Sequence, residues 1–296
     1  VERFRECAHD FELLWNSSKL EQNNRRIQEQ VVCAGRKCER RTRSNTVANL
    51  MRTSNPALNA KVFQTERVAL GEAMTLKGTV NKTGLLLICV IATAAWTWNI
   101  FTHSQTPEAV MGLAAIGGIG GFIFALITIF KKTWAPVTAP IYALLEGLVL
   151  GSVSAILESR YHGIAIQAVS LTFGTLVVLL LAYRSGLIPV TQKFKLGVMA
   201  ATGGIALFYV VSIVLGFFGV HFTTINGAGP IGIAFSVFVV IVAALNLVLD
   251  FDFIESGVAA GAPKYMEWYA AFGLMVTLIW LYFEILRLLS KLRERN

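Results

Sequence analysis

Ile231-Gly-Ile-Ala-Phe-Ser-Val-Phe-Val-Val-Ile-Val-Ala-Ala-Leu-Asn-Leu-Val-Leu-Asp-Phe-Asp-Phe-Ile254 decides the fold. The run is almost wholly apolar until Asp250. It meets the requirement of roughly 20 residues for a helix to cross a ~30 Å hydrocarbon core. Its apolar residues are continuous and lack period-two alternation, which excludes a strand of a membrane barrel. Six more runs of this kind lie at 84–102, 109–130, 137–157, 164–183, 196–218 and 266–289. The sequence therefore predicts an all-α integral membrane protein, a seven-transmembrane helix bundle.

Composition agrees. The 296 residues are 55% hydrophobic and 15% charged, against about 25% charged in soluble domains. Lipid can cover a surface this apolar where water cannot. The net charge of +8 does not point to nucleic acid, because the basic residues carry no interleaved aromatic platform or binding motif. They flank the spans instead. Lys77, Lys82, Lys131, Lys132, Arg184, Lys193 and Lys195 fall on alternate connections, which places the N-terminus in the cytoplasm and the loops at 103–108 and 221–229 outside. Arg287, Lys291, Arg293 and Arg295 break that alternation, since seven crossings put them outside.

Residues 1–50 differ from the rest, with ten Lys/Arg, seven Asp/Glu and no sustained apolar stripe. They are expected to be either a regulatory cytoplasmic tail, or a polar disordered extension or mis-assigned start with Met51 as the natural one. Residues 51–83 are expected to be a cytoplasmic amphipathic lead-in, with a short helix over 65–77. Residues 84–296 are expected to form the transmembrane domain. Cys7, Cys33, Cys38 and Cys89 have no second Cys/His pair at zinc spacing. Gly117-x3-Gly121 and Gly147-x3-Gly151 have the spacing of close helix contacts, and no Gly-Lys-Ser/Thr follows to make a phosphate loop.

Chemistry is expected at the carboxylates. A charge at mid-bilayer costs roughly 2.5–3.5 kcal/mol on insertion scales and needs a partner or a wet cavity. Glu146, Asp250, Asp252 and Glu284 are the candidates, with Glu255 at the interface. Asp250 and Asp252 lie about 200° apart around a helix, so Asp250 is expected to face the interior and Asp252 the loop or headgroups. Glu284 stands three residues before Arg287, so an i,i+3 pair is its structural alternative. The scattered His residues, and the absence of a His-Glu-x-x-His or Gly-x-Ser-x-Gly motif, argue against an enzyme. No catalytic residue, cofactor or metal site is expected.

Four stretches carry a resemblance. They are Met51-Arg-Thr-Ser-Asn-Pro-Ala-Leu-Asn59, Ala139-Pro-Ile-Tyr-Ala-Leu-Leu-Glu-Gly147, Leu247-Val-Leu-Asp-Phe-Asp-Phe-Ile-Glu-Ser-Gly257, and Tyr265-Met-Glu-Trp-Tyr through Leu281-Tyr-Phe-Glu-Ile-Leu-Arg287. From Met51 onward the chain resembles the Bax inhibitor-1/YccA family of membrane proteins, in its bacterial branch. The resemblance implies a bundle wrapped around its last helix, a multi-pass place in the bacterial inner membrane, and a proton-sensitive calcium leak. It also implies a latch in which an Asp late in span six shares a proton with an Asp in span seven. Asp250 matches the first position, but the second falls on Thr277. Glu284 lies seven residues further, on the same face but about 10 Å along the axis. A basic family residue that can pair with the first Asp corresponds to Lys131 or Lys132.

Asp250 is therefore expected to meet either a lysine, the favoured partner, or Glu146. Acid breaks an Asp–Lys bridge but favours a half-protonated Asp–Glu pair. The leading functional expectation is a pH-sensitive cation leak, with Ca2+ or protons in transit. The alternative is a non-transporting regulator of a membrane-bound quality-control protease. A secondary transporter is disfavoured, because no inverted repeat with paired broken helices is visible.

Overall fold

The computed structural model describes residues 73–104, 106–219, 225 and 227–295. The expectations for residues 1–50, for Met51 and the segment quoted after it, and for most of the 65–77 helix lie outside the described residues. Among the described residues seven long helices follow in order: α1 (Leu76–Ser104), α2 (Glu108–Phe130), α3 (Ala135–Arg160), α4 (Ile164–Arg184), α5 (Gln192–Phe217), α6 (Pro230–Ala259) and α7 (Met266–Arg295). A single 3-10 turn, Lys132–Trp134, joins α2 to α3. No strand occurs among the described residues, only an isolated bridge between Ala73 and Pro263. All seven helices are long and apolar enough to cross a membrane, as the sequence predicts.

The helices alternate in direction. The starts of α1, α3, α5 and α7 share one end of the bundle, called proximal here, with the ends of α2, α4 and α6. Contacts between these termini fix this: Lys82 of α1 pairs with Glu267 of α7, and Lys195 of α5 with Asp252 of α6.

Helix boundaries follow polar contacts more than apolar composition. α1 begins eight residues before the apolar run at 84. Its first turn is closed by the Thr75 hydroxyl, which accepts from Gly78 N at 3.0 Å, and Thr79 and Thr83 bond back one turn along the helix. The turn just past α4 contains Gly186, whose φ of 73° is open to glycine without the Cβ penalty. There Gly186 N donates to Tyr183 O and Leu187 N to Ala182 O, both at 3.1 Å, satisfying the last carbonyls of the helix.

The expected small-residue contacts are present. A Cβ on Gly117 would lie 2.5 Å from Leu145 O of α3, and one on Gly121 would lie 3.0 Å from Glu146 Oε1. On α3, Gly147 and Gly151 abut the α1 backbone at Val90 and Ala94. Without these glycines α1, α2 and α3 could not approach so closely, and close packing is what holds helices together in lipid.

α7 is the centre. It packs against α1, α3, α4 and α6, and 61% of its most apolar stretch is buried, against 11% for α5. Leu274, Leu278, Leu281 and Ile285 meet Leu247 and Phe251 of α6 and Ile164 and Ala168 of α4. Ala271, Met275 and Ile279 meet Leu86 and Val90 of α1 and Ala139 and Ala143 of α3. Outward faces carry exposed residues such as Ile119, Val178, Leu207 and Phe217, which hydrocarbon would cover.

α5 is the peripheral helix. Its buried residues are Val198 and Ile205. On the same face, the positions about one turn before, between and after them are polar. Lys195 pairs with Asp252, Thr202 accepts from Asn246 Nδ2 at 2.7 Å, and Tyr209 donates to Glu284 Oε1 at 2.8 Å. Spacings of three and four along 195, 198, 202, 205 and 209 make one seam on one face of the helix.

Candidate functional site: a carboxylate cavity at the proximal half

Four helices enclose a cavity of about 650 Å³ in the proximal half of the bundle. α2 supplies Gly118 and Phe122, α3 supplies Tyr142 and Glu146, α6 supplies Asp250, and α7 supplies Tyr269 and Thr277. Most of the wall is apolar, so the carboxylates stand out. Asp250 and Glu146, on different helices, both line it. The Thr277 side chain lies beside the Asp250 carboxyl, and Tyr142, one turn before Glu146, is that carboxylate's neighbour. Asp250 Oδ2 is buried and has no hydrogen-bond partner.

Local structure explains this arrangement. Asp250 follows the apolar run of α6 and points inward, while Asp252, two residues on, reaches Lys195 at the start of α5. Thr277 is on the inner side of α7, one turn after Gly273, whose carbonyl its hydroxyl reaches at 3.3 Å. Glycine at 273 leaves the α7 wall open toward the cavity.

The other proximal carboxylates are matched. Glu267, fully buried, joins Lys82 of α1, Lys264 at 2.9 Å, and both the amide and hydroxyl of Thr75 at 2.9 Å. Asp252 holds Lys195, and Glu255 accepts from the Tyr183 hydroxyl. Glu146 and Asp250 have no ion pair among the described residues.

The expected lysine partner is not at Asp250. Lys131 sits over the Trp134 ring at 4.6 Å, and Lys132 over the Tyr269 ring at 5.2 Å. The 3-10 turn after α2 directs both side chains onto aromatic faces, a favourable cation–π placement. Lys132 thus stands behind a residue of the cavity wall without entering it.

Glu284 lies away from the cavity. Its Oε1 accepts from Tyr209 and from Trp280 Nε1 at 3.3 Å, and Arg287 is 3.7 Å from Oε2. It belongs to the attachment of α5 to α7. Sequence reasoning did not single out Tyr142, Glu267 or the Lys195–Asp252 pair. Tyr142 carried a usable signal, its i,i+4 spacing from Glu146. The other two contacts join residues far apart in the chain and carried none.

Among the described residues no three His, Cys, Asp or Glu side chains cluster as a metal site would require. The arrangement offers two acidic groups on facing helices, one tyrosine and one threonine. When ionised it can attract a cation. A family model described as Bax inhibitor 1 like matches residues 52–294. Comparison with curated proteins and with solved structures gives no match.

Proposed function

The chain belongs to the Bax inhibitor 1 like family, and we propose that it is a pH-sensitive cation leak, with calcium as the cation, gated by Glu146 and Asp250. The observation that carries the proposal is that these two intramembrane carboxylates line one cavity and neither has an ion pair among the described residues. Intramembrane acids normally face a partner or a pathway. The proximal end is the cytoplasmic one in this proposal, because Lys77, Lys82, Lys131, Lys132, Arg184, Lys193, Lys195 and Lys264 gather there. A bacterial inner membrane is the proposed location, and the protein acts without catalysing a reaction.

The sign of the pH response follows from the pair. Protonated, the two carboxyls put no charge in the cavity; ionised, they put two negative charges there that attract a divalent cation. Leak should therefore rise with pH. A lysine at Asp250 would give the opposite sign, since acid would break an ion pair. Asp250→Asn removes one of these charges at every pH and should keep the leak low.

Calcium flux into proteoliposomes tests this from about pH 5 to 8. Wild type should leak more at the alkaline end, with Asp250→Asn and Glu146→Gln low and flat. Variant profiles identical to wild type remove these residues from the gate. No flux from any protein at any pH overturns the leak itself.

A further inference from the structure

A second cavity, of about 410 Å³, lies in the distal half of the bundle. Its opposite walls are α1 and α4, which do not pack closely on each other. Its floor is Leu150, Gly151 and Ser154 of α3 with Met275, Leu278 and Tyr282 of α7. We propose that this cleft is a binding site for one acyl chain of a distal-leaflet lipid, entering sideways between α1 and α4.

Three observations select that occupant. First, the lining makes no polar demand. The Ser154 and Tyr282 hydroxyls bond each other at 2.7 Å, and Thr172 donates to Ala168 O at 2.7 Å. Leu87, Val90, Ile91, Val169 and Phe173 supply aliphatic and aromatic surface. No Asp, Glu, Lys, Arg or His lines the cleft. An ion or polar solute would lose its hydration there without compensation, whereas an alkyl chain would not.

Second, the length fits one leaflet. The α1 wall runs from Leu87 to Trp98. Eleven residues (98 − 87) at 1.5 Å each give about 16 Å, close to half of a ~30 Å hydrocarbon core. Trp98, at the distal limit of that wall, is the residue type that marks a membrane interface.

Third, the cleft opens within helices that are long and apolar enough to cross a membrane. The medium at its mouth is then hydrocarbon, and the cleft reaches past the outer face to the central helix. An ordered chain there would touch α7 at Met275 and Leu278, unlike lipid that merely coats the outer surface.

Trp96 and Trp98 provide the experiment. They lie about 200° apart on α1; Trp96 is exposed on the outer face and Trp98 lines the cleft. Full-length protein retaining only Trp98, or only Trp96, is reconstituted in phosphatidylcholine with bromine on the acyl chain. Both should be quenched. Val169→Phe, at an outward position of the α4 wall, should fill the cleft. It should remove most of the Trp98 quenching and leave that of Trp96. Trp98 quenching that is absent, or that survives Val169→Phe, overturns the proposal. If the single-tryptophan chains do not accumulate, native mass spectrometry of the parent protein and Val169→Phe decides. The parent should retain one more lipid, and equal counts overturn the site. Neither readout involves ion flux, so failure of the leak and failure of the lipid site remain distinct.

Discussion

The two cavities share one wall and nothing else in their chemistry. Gly273, Val276 and Thr277 of α7 face the proximal cavity, while Met275, Leu278 and Ile279 face the distal one. The proximal cavity holds two carboxylates and lies among ion pairs. The distal cleft holds only hydroxyls already bonded within the protein. One helix thus divides a compartment suited to a proton or cation from one suited to an alkyl chain. The difference teaches that side-chain satisfaction, more than cavity size, separates the two: the acids are left without counter-charges, the hydroxyls are not left open.

The largest expected effect tests whether the proximal framework depends on its paired charges. Glu267→Ala leaves Lys82, only 18% exposed at its side chain, without its counter-charge, and removes the ion pair between α1 and α7. Breaking a buried pair costs about 3–5 kcal/mol. The variant should show a marked loss of thermal stability in detergent, with the proximal ends loosened first. A stability loss under about 1 kcal/mol would mean that apolar packing alone positions those ends.

A smaller effect probes the distal floor. Tyr282→Phe removes the bond to Ser154 and leaves the Ser154 hydroxyl without that partner in the cleft. Interhelical hydrogen bonds in membranes average about 0.6 kcal/mol, so thermal unfolding should shift slightly, and flux should keep its pH profile. A changed pH profile would break the proposed separation, because the two cavities would then be coupled through α7.

Tyr142→Phe should change stability least, by roughly 0.5 kcal/mol or less, and yet alter the midpoint of the flux pH profile, since Tyr142 is the neighbour of Glu146 in the cavity. An unchanged midpoint would leave Glu146 acting without its neighbour.

Much of the fold was legible because hydrocarbon imposes one rule on every span: about 20 apolar residues with the backbone satisfied internally. Helix ends were less legible. The first turn of α1 is held by Thr75 and by Glu267, almost two hundred positions away, and no local pattern announces that. Asp250 stood out because a charge after an apolar run is costly. Its company did not. That Glu146 shares its cavity, while Lys131 and Lys132 turn to Trp134 and Tyr269, depends on how α2, α3 and α6 meet. The distal cleft was illegible for the opposite reason: its lining residues resemble those of any lipid-facing surface.

The seam of α5 bears on how the bundle is put together. Helices that enter a bilayer one by one must then find each other without a hydrophobic force between them. α7 offers partners on all sides, but α5 has only Val198 and Ile205 to bury, and Lys195, Thr202 and Tyr209 to engage. Those three have nothing to hold until Asp252 and Asn246 of α6 and Glu284 of α7 are in place. α5 is thus the last to join and the first to detach, so under a pulling force or progressive denaturation it should leave as a separate early step while the other six helices stay together.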